Sequence, residues 1–375
     1  MGFRQFVTEA FLSPWYRSLE NPGKAQRDLL RDLLQGYRKT DYGDAHGAGE
    51  ICGIEEYRSA FPVLDYDSLT PFLSRVKDAN FSAILPEPPC NWVMTRGTTG
   101  RSKVIPVTRT HIDQIRTCGA RAILNFDRRN PEARILAGKV LNLNFPSQVH
   151  SMEVAGRTVS YGYSSGTYAK LIPSLNQTSL VPGQEEIDAL GAGISDEDWR
   201  ARFELVFRAA KGEHVTAAMG VAPVISSFGR YLKRAHRRKP RDLWEPVALF
   251  CTSVPKIHSK YAPHLREYYG DCRIVEMYTA TEGAFGQQLD EFPYISPNYD
   301  TYLFEVEMGG YTRMLHQLRR GEWGRLIVSS CLFPRYDIGD MVECLGRNYF
   351  RIFGRDTLRV RLEHRLFRLA TRWFI

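Results

Sequence analysis

Long apolar runs are missing from this chain of 375 residues. No stretch approaches the roughly 18–20 residues that would span a bilayer. The first residues hold Arg4 and Glu9 and no apolar h-region, so a secretory signal is not expected. Cysteine is sparse: seven residues, scattered, with no C-x-x-C pair and no His pair at helical metal-ligand spacing. A disulfide framework or a structural zinc site therefore has little support, and most of the thiols are expected as small buried hydrophobes. Internal repeats and low-complexity linkers are also absent. What remains is an ordinary globular composition, 43% hydrophobic and 25% charged, which excludes disorder and a fibrous repeat. The expectation is a soluble, cytoplasmic protein.

The net charge of +8 is unevenly placed. Six Lys or Arg fall between Lys233 and Arg241, and the last 25 residues hold seven Arg against Asp356 and Glu363. The rest of the chain is slightly acidic. The first run follows a helical pattern and meets Pro240, so it reads as a solvated helix end and turn. It lacks the interleaved aromatics of a nucleic-acid surface, so neither a nucleic acid nor a membrane is expected as partner.

The first 80 residues read as helices and turns. Residues 25–37 put Leu29, Leu30, Leu33 and Leu34 on one face, stopped by Gly36. From residue 90 strands and helices alternate. Asn91–Met94 reads as a short strand, and residues 109–127 place Ile112, Ile115, Gly119, Ala122, Ile123 and Phe126 on one helical stripe. Residues 139–145 alternate Leu141, Leu143 and Phe145 with Asn142 and Asn144, a strand pattern. Ser195 caps a helix with Trp199, Phe203, Val206, Phe207 and Ala210 on its stripe. Strands are expected at 247–251, 273–277, 302–306, 326–330 and 341–344, with a helical stretch broken near Pro263. This is an α/β pattern with mixed sheets and a β-rich end.

Thr95-Arg-Gly-Thr-Thr-Gly-Arg-Ser-Lys103 carries the strongest chemical signal. Gly97 and Gly100 let backbone approach a ligand closely, Thr95, Thr98 and Thr99 add hydroxyls, and Lys103 adds a point charge, a set suited to a polyphosphate. It is not a Walker A loop, because Ser102 rather than Gly precedes the lysine and Val104 follows it. The segment resembles the phosphate loop of the acyl-adenylate-forming (ANL) superfamily, with Arg96 where that loop usually has a small hydroxyl residue.

Two further blocks follow in the order of that superfamily. Met277-Tyr-Thr-Ala-Thr-Glu-Gly283 looks like its segment of an aromatic, two free positions, a hydroxyl residue and Glu. Tyr336-Asp-Ile-Gly-Asp340 looks like its Y-x-x-G-D segment, and Gly354-Arg355-Asp356 resembles the hinge that comes after. Lys103, Glu282 and Asp340 are spaced by 179 and 58 residues. The resemblance implies that Thr95, Gly97, Thr98, Thr99, Gly100 and Lys103 hold phosphates and Tyr278 flanks adenine. It further implies that Thr281 contacts the α-phosphate, Glu282 holds Mg²⁺, Asp340 bonds the ribose and Arg355 approaches ribose or phosphate. Lys103, Thr281 and Glu282 would be the catalytic set.

Within that superfamily the chain is most similar to the auxin-responsive (Gretchen Hagen type) acyl-acid amido synthetases. Thr40-Asp-Tyr-Gly43, Phe61-Pro-Val-Leu-Asp-Tyr66, Tyr261-Ala-Pro-His-Leu265 and Gly321-Glu-Trp-Gly324 add to the likeness, which runs over roughly residues 15–350. It implies ATP and Mg²⁺ as cofactors, activation of a small carboxylic acid as acyl-AMP, and transfer to the amine of an amino acid. Relatives that use coenzyme A leave a thiol acceptor open. The expected organisation is an adenylate-forming N-terminal domain at 1–350, with a helical opening region at 1–88. A hinge and short basic tail follow at 351–375, in place of the superfamily's mobile C-terminal domain. A nucleotide binder without turnover is the alternative. Gly162-Tyr-Ser-Ser-Gly166 also matches the G-x-S-x-G pattern of hydrolases, but Pro173 comes early, so a loop near the acyl pocket is expected instead. Tyr161, Tyr163, Met219, Val221 and Phe228 are candidates for that pocket and equally for core.

Overall fold

The computed structural model describes residues 3–97, 102–172, 179–252, 254–255, 257–346 and 348–371. Five helices open the chain: α1 (Phe3–Glu20), α2 (Pro22–Tyr37), α3 (Asp41–Ala45), α4 (Ile54–Ala60) and α5 (Tyr66–Lys77). The α2 leucines 29, 30, 33 and 34 are buried as their spacing predicts, although the helix runs past Gly36 to Tyr37. Asn21 begins it, accepting from the Lys24 N–H, with Pro22 in the first turn where no N–H is needed.

A small sheet follows, in the order β2 (Val104–Val107), β1 (Asn91–Met94), β5 (Arg157–Tyr163), β4 (His150–Val154). β1 and β2 form an antiparallel hairpin, and β1 runs parallel to β5 with Met94 opposite Tyr163. Helix α6 (Arg109–Arg129) leaves β2, and α7 (Ser164–Leu171) leaves β5. The G-x-S-x-G segment is thus a strand-to-helix junction and not the expected loop, and α7 runs to Leu171, with Pro173 outside the described residues.

The large sheet has two halves. β6 (Leu180–Val181), β3 (Lys139–Asn142), β7 (Val215–Val221), β8 (Ala248–Thr252) and β9 (Arg273–Ala280) are parallel neighbours in that order. Helices α8 (Gln184–Ala189), α9 (Asp196–Ala210), α10 (Ala222–Ala235) and α11 (Ala262–Tyr269) punctuate this half. Leu249, Cys251 and Ile274 pack toward α9, α10 and α11, while Ala248, Phe250, Val275 and Met277 pack toward α6. Strands covered on both faces lose the outward polar alternation. Asn142 is accordingly buried, donating to the Pro182 carbonyl and Gln184, where period two predicted an outward face. Pro263 stands in the first turn of α11, which it starts and does not break.

Beyond β9 the sheet turns antiparallel through β10 (Gly283–Gln288), β11 (Ile295–Pro297), β16 (Tyr349–Arg355), β15 (Tyr336–Gly346), β14 (Trp323–Ser329), β12 (Leu303–Met308) and β13 (Tyr311–Met314). β15 is longer than the expected 341–344 and contains the Y-x-x-G-D block, while β16 runs through the 350/351 boundary. Helix α12 (Leu358–Thr371) follows. Cys118, Cys251, Cys272 and Cys344 are buried, whereas Cys52 and Cys90 are exposed. No described helix is long and apolar enough to cross a membrane.

Candidate active site

The β1–β2 hairpin carries the glycine- and threonine-rich loop at the end where β5 also finishes. The loop is tied at its base: Thr95 N–H donates to the Lys103 carbonyl, and Lys103 N–H donates to Thr95 Oγ1, each at 2.9 Å. Gly97 has φ +65°, a left-handed conformation that a side chain would strain. Thr98, Thr99 and Gly100 lie outside the described residues. Lys103 points away from the loop toward the antiparallel half, where its ammonium donates to the Tyr336 hydroxyl at 3.0 Å. It also stands 5.6 Å from the centre of the Tyr66 ring, whose hydroxyl accepts from the Val104 N–H at 2.9 Å.

Thr281 and Glu282 form the two-residue turn between β9 and β10, with Ala280 opposite Gly283. A strand pair closed by so short a turn projects both side chains from the end of the sheet. Glu282 is buried, and burial raises its carboxyl above the usual range against the pull of Lys103 and Arg355. The Tyr336 hydroxyl accepts from Lys103 and lies close enough to Glu282 that burial, together with that carboxylate, raises its phenol.

Asp340 stands opposite Arg355 across β15 and β16, with Arg355 Nη1 at 3.3 Å from its carboxylate. Tyr278 donates to its other oxygen at 2.8 Å. Burial raises the Asp340 carboxyl, and Arg355 and Tyr278 act in the opposite direction. The Tyr278 ring is enclosed, 5.3 Å from Phe285 and 6.0 Å from Phe350, leaving its hydroxyl as the group that reaches the site. Gly339 has φ +79°, and its N–H donates to Asp337, which pairs with Arg325 at 3.0 Å.

Lys103, Thr281, Glu282, Tyr278, Asp340 and Arg355 therefore converge, although they come from four separate segments. The electrostatic neighbours of Glu282 include Lys103, Arg355 and Asp340 together. Among the described residues no three His, Cys, Asp or Glu cluster as metal ligands. One buried carboxylate, Glu282, near the Lys103 ammonium is nonetheless a donor set that fits Mg²⁺ in company with a phosphate ligand, since that ion takes one or two carboxylates and completes its shell with phosphate and water.

Three neighbours, Tyr66, His111 and Tyr168, have no site role in the sequence reading, and a fourth, Ser164, has one only in the hydrolase pattern. Ser164 Oγ lies 3.3 Å from Thr281 Oγ1, and the Tyr168 hydroxyl donates to the Thr281 carbonyl at 2.8 Å. His111, fully buried, stands 2.9 Å from that same hydroxyl. Tyr66 holds the loop base. Their only sequence signal was position, Tyr66 ending a block quoted for family likeness and Ser164 lying in G-x-S-x-G. Ser164 starts a regular helix with no left-handed φ, and its described partner is a threonine hydroxyl, so the base of a hydrolase is absent among the described residues. Of the pocket candidates, Phe228 is core, packed on Phe203 and Trp244. Tyr163 and Val221 border a cluster with Met94 and Phe145 beside the loop.

Comparison with known proteins bears on family and fold. Residues 13–189 match the GH3 family N-terminal domain, which bears out the resemblance to the acyl-acid amido synthetases. A jasmonoyl–L-amino acid synthetase (JAR6) of Nicotiana attenuata is 22% identical over 178 residues, 46% of this chain and 30% of that protein. Another (GH3.5), of Oryza sativa subsp. japonica, is 28% identical over 131 residues, 33% of this chain and 21% of that protein. The matched stretch thus spans less than a third of either curated relative. In fold the chain is similar to the AtGH3.15 acyl acid amido synthetase in complex with 2,4-DB, with TM-score 0.76 and 15% identity over 93% of this chain and 71% of that one. It is also similar to 2-hydroxyisobutyryl-CoA ligase in complex with 2-HIB-AMP and CoA, with TM-score 0.61 and 15% identity over 88% and 74% of the two chains. The chain has the mixed α/β fold of these synthetases and ligases.

Proposed function

We propose that this chain binds Mg·ATP at the loop 95–103, Thr281, Glu282, Asp340 and Arg355, and uses it to activate a carboxylic acid as acyl-AMP. The observation that carries the reading is the convergence of Lys103, Glu282 and Asp340 from three distant segments at one end of the sheets. Residues 1–350 serve as the adenylate-forming unit and 351–375 as hinge and basic tail.

A carboxylate resists acyl transfer because oxide is a poor leaving group. Attack of its oxygen on the α-phosphorus of ATP forms an acyl–phosphate bond and breaks the bond to pyrophosphate, so AMP becomes the later leaving group. The chain's part is positioning and charge neutralisation. Asp340 accepts from the ribose hydroxyls, the Thr281 hydroxyl donates to the α-phosphate, and Lys103 exchanges its Tyr336 partner for a phosphate oxygen. Glu282 would hold Mg²⁺, which when bound would supply neutralisation of the phosphate oxygens. An amino acid amine then takes the acyl group, in keeping with the names of the GH3 relatives.

Calorimetric titration with Mg·ATP, run on the parent and on Asp340→Ala, tests the site. Removal of a charged hydrogen-bond acceptor costs about 1.5–3 kcal/mol, on the order of 10- to 100-fold in affinity. A parent that does not bind Mg·ATP, or an Asp340→Ala chain that binds it equally well, overturns the reading. Pyrophosphate exchange driven by added acids then identifies turnover, and product mass with amino acids against coenzyme A identifies the acceptor.

A further inference from the structure

Two guanidinium groups beside the loop have no ion-pair partner among the described residues. Arg96, second residue of the loop and exposed, lies 5.3 Å over the Phe145 ring. Arg202, on α9, is only 1% exposed. Its Nη2 donates to the carbonyls of Gly191 and Gly193, while its Nε and Nη1 are buried with no partner. Buried donors without acceptors are costly, and a charged one more so.

Aromatic rings connect the two cations. Arg202 lies 5.3 Å over Trp199, Trp199 meets Phe145 edge-on at 4.9 Å, and Phe145 packs on Tyr163 at 5.1 Å. Burial raises the Tyr163 phenol, and both Arg202 and Arg96 pull against it, so the hydroxyl lies within the field of the two cations. The acids nearest Arg202 are engaged elsewhere: Asp188 accepts from Ser147 and Gln184, and Asp198 closes the capping box with Ser195. Tyr163 directly precedes Ser164, whose hydroxyl is 3.3 Å from that of Thr281.

We infer that Arg96, Arg202 and Tyr163, walled by Phe145 and Trp199, bind a second, non-reacting carboxylate of the acid, so that the substrate class is an aromatic dicarboxylic acid. A carboxylate forked by guanidinium is held ionised and immobile, which suits an anchor and not the oxygen that attacks phosphorus. The flanking rings offer aromatic surface to a planar body, and Ser164, the residue after Tyr163, meets Thr281, so the opposite end of such a body lies toward the candidate reaction centre. As a substrate assignment this rests on the adenylation reading, but as a binding site it stands without it.

Ligand-observed NMR and calorimetry with terephthalate and its neutral-ended isostere 4-carbamoylbenzoate read the second carboxylate alone. The parent is expected to bind terephthalate at least tenfold tighter. Arg96→Gln should remove that preference, and Arg96→Lys, which keeps the charge without the fork, should retain part of it. Arg96 is exposed, so these variants should fold as the parent does, and their thermal melts check it. Equal binding of the two probes by the parent overturns the inference, as does a preference that survives in Arg96→Gln. A loss in Arg96→Gln that falls on Mg·ATP and not on terephthalate assigns Arg96 to phosphate and also overturns it. Should Mg·ATP fail to bind while the terephthalate preference and its loss hold, the carboxylate site stands and only the nucleotide reading falls.

Discussion

Asp340 has two partners within the chain, and they divide its properties. Arg355 neutralises it from across the strand pair, and Tyr278 fixes its rotamer from beneath. Tyr278→Phe keeps the ring in its place between Phe285 and Phe350 and removes one hydrogen bond to a carboxylate, a loss of about 1.5 kcal/mol. Affinity for Mg·ATP should fall several-fold in that variant, measured by calorimetry, with a thermal midpoint only a few degrees lower. His111 offers a second test at this scale, because burial depresses its pKa to about 4. An unfolded histidine near 6.5 takes up a proton first as pH falls, so the neutral buried ring contributes stability above about pH 6.5 that is lost toward pH 4. The loss reaches about 3 kcal/mol by the lower end. Urea midpoints of the parent and His111→Gln should therefore differ most at pH 7 and converge between pH 6.5 and 4. A constant difference across that window would remove the histidine from the acid response. Motif residues were legible in the sequence because each block is contiguous. Tyr336 as the link from Lys103 to Glu282 was not, since it lies 233 residues from Lys103 in sequence and no spacing rule connects them.

Among the elements, the helices were legible where one face is buried. The stripe in α6 held at Ile112, Ile115, Ala122, Ile123 and Phe126, with Cys118 rather than Gly119 turned inward. The strands were harder. β3 and β7 to β9 are covered by helices on both faces, so alternation carries no information there, and β15 was read four residues long because its Gly339 and Asp340 look like a turn. The helix after β5 is short and followed closely in sequence by Pro173, so its pattern reads as a loop. Gly166 explains how that junction packs: a Cβ there would stand 2.0 Å from the Phe145 carbonyl and 2.8 Å from Gln184 Nε2. Backbone would have to move, so Gly166→Ala should destabilise by about 2 kcal/mol despite the better helix propensity of alanine. The urea midpoint measures it. Because α7 carries Ser164 and Tyr168 against Thr281, the same variant should weaken Mg·ATP binding. A fully stable Gly166→Ala chain would mean that α7 is free to shift on the end of β3.

Over the whole molecule, the helical opening region is stitched to the β-rich end and not appended to it. Trp15 donates to the Pro297 carbonyl at 2.9 Å, and Gln26 donates to the carbonyls of Tyr299 and Tyr302 while accepting from Phe304. Tyr37 reaches the Ser330 carbonyl at 2.7 Å. At the centre of this seam is Glu305, without solvent exposure, gripped by Arg58 from α4 at 2.8 Å and by Arg335 at 3.0 Å. Arg335 also donates to the Phe61 and Arg58 carbonyls, and its own backbone is left-handed at φ +40°. Leu64 pairs with Arg335 and Asp337 on either side of Tyr336, so the ion triad fixes the start of β15 and with it the partner of Lys103. Glu305→Ala leaves the buried Arg335 guanidinium without its counter-ion and Arg58 with the exposed Glu55 alone, a change worth about 3 kcal/mol. Helical ellipticity and tryptophan fluorescence should then lose stability together in urea, as one transition, and Mg·ATP affinity should fall although Glu305 touches no ligand. Two separated transitions would show instead that residues 1–88 unfold independently, and an unchanged nucleotide affinity would show that β15 holds its start without the triad.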